Sequence, residues 1–476
     1  MRSMSIVAGL LLAFAACAHA QSGGGFVNGY PTPEFAQRAQ NEADFQRAVV
    51  AYRFWYPAVS AEGIFNGNRI AGMKDNEAMG ITSTGPRQVG FTLNSDTPYG
   101  SAILDLRNGP MVIELPSGPF IGLVNDHYQS WILDIGLPGP DAGKGGKHVI
   151  LPPGYTGAVP TDHQVGRSSS YKVLVAARSM PVGGDVDKAL AALRTIRIHP
   201  LNGDKTLAFI DTTKTAMDST SLRWEDNFQF WQVLAKIVDE EPVNEAWLPF
   251  YGELAALGIL KGKPFQPDAR LKGILERAAK AGRDQMLVSA FASTRPDRQA
   301  WPDRKWEWVG LVAENGDFRT PGGYDLEARD RWFAQAIVTS PAMFRRNAGA
   351  GSLYWLGVRD SGGAYLDGGK SYRLVIPQPV PGKLFWSVTV YDAQTRSQVQ
   401  TDQDKAALRS LFELKDAGGS APVTLHFGPT SPAGSDAARW IKTAPGRGWF
   451  AYIRIYGPEG AAFDGTWKPG DFEPVP

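Results

Sequence analysis

Two blocks of short strand-like runs, each broken by Gly or Pro every few residues, flank a block of helical periodicity, and this order argues against a doubly wound parallel sheet. In the first block, Val89 to Val175, strands are predicted at about 99–106, 111–115, 119–128, 131–135, 147–151 and 170–176, a spacing that suits a sandwich or barrel. Between 183 and 347 apolar residues recur at helical spacing, in Val186 to Ile196, Trp224 to Val238, Glu245 to Leu257, Ala269 to Ala292 and Leu326 to Val338. Strands return as Tyr354 to Val358, Ser371 to Ile376, Leu384 to Tyr391, Val423 to Phe427 and Phe450 to Tyr456, with a boundary at Ser340-Pro341. The fold class expected is mainly β with helical segments (α+β): a sandwich-like β-rich domain over 34–180, a mainly helical segment over 181–345 and a β domain over 346–476.

Ahead of the first strands, Pro33 to Tyr56 has helical spacing, with Phe35, Phe45, Val49 and Tyr52 as buried positions and an end expected near Pro57. Residues 21–33 read as a flexible Gly/Ser/Pro leader. Residues 1–20 read as a signal peptide, with Arg2, the apolar run Ile6 to Ala16 and the small-x-small pattern Ala18-His19-Ala20, so a periplasmic or secreted protein is expected. The alternative is a lipid anchor on Cys17, the single cysteine, at the end of a lipobox-like Ala15-Ala16-Cys17. Either way the mature domains carry no thiol chemistry. With 49 basic and 48 acidic residues spread evenly, no basic run tracks phosphates, so nucleic acid is not expected as a partner, and no later stretch reads as a transmembrane span.

The stretch Phe91 to Leu106, FTLNSDTPYGSAILDL, packs Asn94, Ser95, Asp96, Thr97 and Pro98 into a turn that opens directly into an alternating strand. Asn94 and Asp96 are either ligand or acid/base groups at a strand entry, with Tyr99 and Asp105 reaching the same cavity, or an Asx-type turn that satisfies its own backbone. A buried Asp105 needs a partner, for which Arg107, Arg167 and Arg178 are available. Read as one strand, Ile121 to Asp134 puts Asn125, His127, Gln129 and Trp131 on one side and Asp126, Tyr128 and Ser130 on the other. That row is either a pocket wall with His127 as general base or the solvated face of an antiparallel strand. Farther on, Ser387, Thr389 and Tyr391 alternate with Trp386, Val388 and Val390, and Arg454 is placed to pair with Asp392 or to bind an anion. No histidine pair has metal-ligand spacing, so no metal site is expected. Nucleophile-elbow, phosphate-loop and dinucleotide motifs are absent from the sequence, and the cofactor is left unknown.

Asn94, Asp96, Thr97 and Tyr99, then Leu104-Asp105-Leu106 and Glu114-Leu115-Pro116, resemble the core signature of the bacterial domain-of-unknown-function family 1254, and Gly258 to Phe265 is similar to the segment that follows it. Tyr365-Leu366-Asp367-Gly368, Phe385 to Asp392 and Ile453 to Tyr456 resemble the companion family 1214. The resemblance implies two β-rich domains, the second a jelly roll, in an exported protein, and no settled activity. The chain departs from the pattern before its last strand, where Arg439-Trp440-Ile441-Lys442 stands in place of Asn-Trp-Leu-Pro and keeps only the Trp.

Two functions are expected to compete. One is an exported hydrolase or lyase for a polar small molecule or glycan, with Asp96 and His127 catalytic, and with Asn94, Thr97, Tyr99, Asp105, Asn125, Gln129, Trp131, Tyr391 and Arg454 holding the ligand. The other is a non-catalytic ligand-binding protein or homo-oligomeric assembly protein of the envelope, in which the same residues fix turns and interfaces. Convergence of Asp96 and His127 in one water-accessible cleft separates the two.

Overall fold

The computed structural model describes residues 25–311, 316–349, 351–415, 419–434 and 436–476; the expected signal segment and Cys17 lie outside them. The protein is α+β and dominated by sheets, none of which closes into a barrel among the described residues. The first β domain packs two sheets. A six-stranded sheet runs Ala208–Asp211, Ala78–Ser83, Pro98–Asp105, Lys172–Ser179, Phe120–Asp126, Trp131–Gly136. A four-stranded sheet runs His163–Arg167, Gly146–Leu151, Met111–Leu115, Arg197–Pro200. The alternation of the strands sends Leu104, Val124, Val173 and Val175 inward against Ile113 and Ile150. That leaves Tyr99, Ser101, Ala176, Arg178, Ile121 and Leu123 on the outer face, in rows set by the pairings Tyr99 with Arg178, Arg178 with Ile121 and Ser101 with Ala176.

The last domain is a second two-layer β structure. Its five-stranded sheet runs Glu307–Trp308, Ser352–Gly357, Trp449–Pro458, Gly382–Asp392, Ala407–Arg409. Leu353, Trp355, Val388, Val390, Ile453 and Ile455 pack inward with Leu374, Leu425 and Phe427 of the opposing sheet. The expected alternation of Trp386, Val388 and Val390 with Ser387, Thr389 and Tyr391 is present, but the second face is not a solvated surface. Ser387, Thr389, Tyr391, Tyr452, Arg454 and Tyr456 are all buried, because this face is turned toward the first domain.

A helical core joins the two. The first helix continues through Pro57 as Pro33–Ile70, instead of ending there. An interior proline costs about 3 kcal/mol because it deletes one hydrogen bond and pushes on the carbonyl four residues back. Here that carbonyl, Arg53 O, accepts from Arg329 Nη1 at 3.4 Å, and Pro57 O accepts from Gln129 Nε2 at 2.8 Å. From Ala48 to Asn68 nearly every residue is buried, so this half of the helix runs through the protein instead of lying on it. Gly63 and Gly67 lie one turn apart where it passes the backbone of 218–221; a Cβ on Gly67 would come within 2.4 Å of Asp218 O. Phe230, Trp231, Leu275 and Trp332 from the later helices pack around it. No helix among the described residues is long and apolar enough to cross a membrane.

Candidate functional site: a cavity between the two domains

The outer faces of the six-stranded and five-stranded sheets look toward each other across a cavity of about 170 Å³, room for on the order of ten waters. Tyr99, Ser101, Ile121, Leu123, Ala176 and Arg178 form its floor. Ser352, Tyr354, Tyr452 and Arg454 face them from the last domain. The ends are closed by Ile64 and Asn68 of the first helix and by Trp332, Ile337, Val338 and Met343. The lining is mostly apolar and, among the described residues, carries three charged side chains, Arg178, Arg454 and Asp134.

Arg454 is fixed by Nη1 to Thr389 Oγ1 at 3.1 Å and by Nη2 to Thr92 O at 2.9 Å. Its guanidinium lies 5.1 Å from the Tyr452 ring centre and 5.6 Å from those of Tyr354 and Tyr391. Burial works against its charge, but the surrounding tyrosines and Asp96 outweigh it and hold its pKa above the ordinary arginine value. Arg178 is different. It sits 5.8 Å and 6.0 Å from the Tyr99 and Tyr456 rings, and among the described residues no hydrogen-bond acceptor or carboxylate holds its guanidinium. Asp134 has its Oδ1 unpartnered, and burial pushes its carboxyl up to about 6 despite Ser340 and Trp131 beside it.

The Asn94 to Tyr99 turn ties this cavity to the last domain. Asn94 Oδ1 accepts from Asp96 N at 3.0 Å, an Asx-type turn, while its Nδ2 donates to Tyr99 Oη at 2.8 Å. Asn94 and Tyr99 line the cavity. Asp96 is buried outside the lining, where its Oδ2 accepts from Ser387 Oγ at 2.8 Å and Tyr456 Oη at 2.9 Å. Tyr391 Oη donates to Leu93 O at 2.9 Å and Arg409 Nη1 donates to Ser95 O, so Ser387, Tyr391, Arg409 and Tyr456 of the last domain all hold this turn and its approach. Thr97 is buried with its hydroxyl unpartnered among the described residues.

Asp96 and His127 do not share the cavity. The single strand expected from Ile121 to Asp134 is a hairpin, because Asp126 Oδ1 accepts from Tyr128 N at 2.9 Å and Ser130 N at 2.8 Å while Gln129 takes φ 58°. The face alternation therefore stops at Asp126, and the row does not form one wall: Gln129 and Trp131 line a separate cavity beside Tyr128 and Ser130, and none of the four lines the inter-domain cavity. Asn125 is buried and clasps Thr339 through both N and O at 2.8 Å. Gln129 Oε1 accepts from Val338 N at 2.6 Å. The two amides hold Val338 at φ 57°, a costly conformation for a β-branched residue and part of the cavity wall. Trp131 is 41% exposed and lies outside the cavity lining. Asp105 pairs with Arg107 at 2.6 Å and also lies outside the lining. Asp392 is taken by Arg447 at 2.6 Å, so Arg454 is not its partner.

His127 is fully buried between two carboxylates, with Nδ1 2.9 Å from Glu241 Oε1 and Nε2 3.4 Å from Glu62 Oε2, the latter within ion-pair reach only. Burial opposes its charge, but the two glutamates outweigh burial and raise its pKa. Burial likewise opposes the charge of Glu62, yet His127 and Arg69 hold it down at about 2, and His127 with the backbone amides of Tyr171 and Lys172 lowers Glu241. Protonated His127 contributes fully below the ordinary histidine value, and that contribution is lost as pH climbs through the raised folded value. The glutamates contribute fully above their ordinary range and lose it as pH falls through their lowered values. This cluster is therefore expected to stabilise most between about pH 5 and 6.5. Thermal melting across pH should fall on both sides, and His127→Gln should flatten the alkaline limb; an unchanged alkaline limb in the variant contradicts the assignment. Among the described residues no three His, Cys, Asp or Glu side chains converge as a metal cage.

Sequence reasoning missed Asp134 and weighed Arg178 only as a partner for Asp105. The available signal was an arginine inside the apolar run Lys172 to Ser179, at the parity opposite Val173 and Val175.

Comparison with known proteins agrees with this architecture. A family model described as a protein of unknown function (DUF1254) matches residues 79–200, and a second, a protein of unknown function (DUF1214), matches residues 351–460. The chain is similar to the crystal structure of the VPA0106 protein from Vibrio parahaemolyticus, at 17% identity over 91% of this chain and 100% of that one, with a TM-score of 0.56. An uncharacterised protein from Burkholderia cenocepacia aligns at 13% identity over 92% of this chain and 96% of that one, with a TM-score of 0.39. Among curated proteins none matches. The first likeness is one of fold, and the two family matches fall one on each β domain, the DUF1254 match on the first and the DUF1214 match on the last.

Proposed function

We propose that this is a ligand-binding protein that holds a small molecule between its two β domains, with the Asn94 to Tyr99 turn as the hinge of the site. The observation that carries it is the Arg178 guanidinium, without a carboxylate or acceptor among the described residues, lining an otherwise mostly apolar cavity. Asp96 and His127 then serve as locks, one between the two domains and one between the first domain and the helical core, and neither meets the ligand. Turnover is the second reading, and Asp134 favours it: a carboxyl pushed up to about 6 with a free oxygen on the cavity wall has the character of a general acid. The test is native mass spectrometry of purified protein and a thermal-shift screen against small acids, sugars and lipids. A retained or stabilising small molecule is expected, with ligand at a hundredfold excess over Kd adding about 2.7 kcal/mol. Turnover of that molecule, lost in Asp134→Asn, favours the second reading; no ligand in either assay contradicts both.

Export is part of the proposal. The mature chain is expected to begin at Gln21, since Ala18-His19-Ala20 is the better cleavage pattern. Intact mass of the processed protein checks this, and a lipid-bearing Cys17 at its terminus contradicts it.

A further inference from the structure

Which chemical class fills the cavity can be argued from its charges. A guanidinium without an acceptor in mostly apolar surroundings has given up hydration that an oxyanion at the same place returns. Arg178 is in that position: half-buried, it has the Tyr99 and Tyr456 rings beside it, but among the described residues no carboxylate or hydrogen-bond acceptor meets its guanidinium. Arg454 is not, because two of its nitrogens are bonded to Thr389 and Thr92 and buried Asp96 lies close enough to offset its charge. Asp134 leaves Arg178 unmatched as well: it is outside ion-pair distance, and the cation that bears on it is Arg345. Among the described residues the site therefore lacks one negative charge. Around Arg178 the hydroxyl of Tyr99 is held by Asn94 and the ring of Tyr354 lies over Arg454, so polar groups gather at one end of the space. At the other end Ile64, Leu174, Trp332 and Ile337 offer apolar surface, and Asn68 beside Ile64 spends its amide on Ser101 Oγ.

We infer that the ligand is a singly charged amphiphile, an oxyanion such as a carboxylate on an apolar body, with the anion forked by Arg178 and the body laid against Ile64, Leu174, Trp332 and Ile337. This rests on the cavity being a binding site. It excludes the polar glycan expected from the sequence, which would leave its hydroxyls unpaired against that apolar wall.

The test is calorimetric titration of the whole processed protein with octanoate, octyl sulfate, octanol and octylammonium, repeated on Arg178→Met and Arg178→Lys. Octanoate, octyl sulfate or both should bind about 10- to 100-fold more tightly than octanol, the range of a charge-assisted hydrogen bond. Arg178→Met should erase that difference and Arg178→Lys should keep part of it. Binding of octanoate alone names the carboxylate; binding of both keeps the oxyanion class. If octanol binds as tightly as octanoate, or octylammonium more tightly, the anion assignment is overturned while the cavity still binds. If all four fail and the native mass spectrum shows no retained molecule, the binding proposal itself falls. The ligand series on the unmodified protein decides the matter even if Arg178→Met does not fold.

Discussion

Replacing Glu225 by Ala is expected to cost 3–5 kcal/mol, the range of about that size seen when one partner of a buried ion pair is removed. Glu225 and Arg396 have side chains 2% and 1% exposed and meet at 2.5 Å. The Glu225 carboxylate also accepts from Tyr56 Oη at 2.9 Å and Arg283 Nε at 3.0 Å, so it binds the first helix, a later helix and a loop of the last domain together. Without it the Arg396 guanidinium stays buried without a carboxylate among the described residues, against the Phe91 ring 4.3 Å away, and its Nε already lacks a partner there. Urea denaturation should show the loss as a lowered midpoint. The double variant Glu225→Leu with Arg396→Met should recover most of it, because the pair's desolvation is removed along with its attraction. A single variant within about 1 kcal/mol of the parent contradicts the role assigned to the pair.

Asp96→Ala is expected to cost about 2–4 kcal/mol, since it strands two buried hydroxyls, on Ser387 and Tyr456, and removes the offset to Arg454. Asp96→Asn should lose about 1 kcal/mol, because an amide oxygen still accepts from both hydroxyls. Ligand binding should weaken in the alanine variant through the displaced Asn94 and Tyr99, and survive in the asparagine variant. Full stability of Asp96→Ala together with abolished binding would instead make Asp96 a group that touches the ligand. Denaturation and calorimetry on the same samples separate the two outcomes.

The strands were legible because Gly and Pro punctuate them and alternation survives burial on one face: Pro98–Asp105, Met111–Leu115 and Ser371–Ile376 fall within a residue or so of their predicted spans. What local pattern could not reach was set by tertiary contact. Pro57 does not end the first helix because Arg329, far along the chain, takes the freed carbonyl. The hairpin inside Ile121 to Asp134 depends on one Asp126 carboxylate collecting two amides, a choice that alternation cannot display. The Asn94 to Tyr99 turn was found as a polar knot, but its partners Ser387, Tyr391 and Tyr456 lie 291 to 360 residues away. Arg178 was hidden for the same reason, since a lone arginine in a strand reads as a surface charge until a second sheet covers it. His127 looked like a base only while its two glutamates, Glu62 and Glu241, were unseen.

The most direct measurement of the account is a crystal structure of the processed protein grown with ω-bromooctanoate, with the bromine located by anomalous scattering. The bromine is expected in the apolar end of the inter-domain cavity, near Ile64, Leu174 and Trp332, with the carboxylate within hydrogen-bond distance of Arg178. Bromine outside the cavity, or a cavity that holds only ordered water beside an undisturbed Arg178, would contradict it.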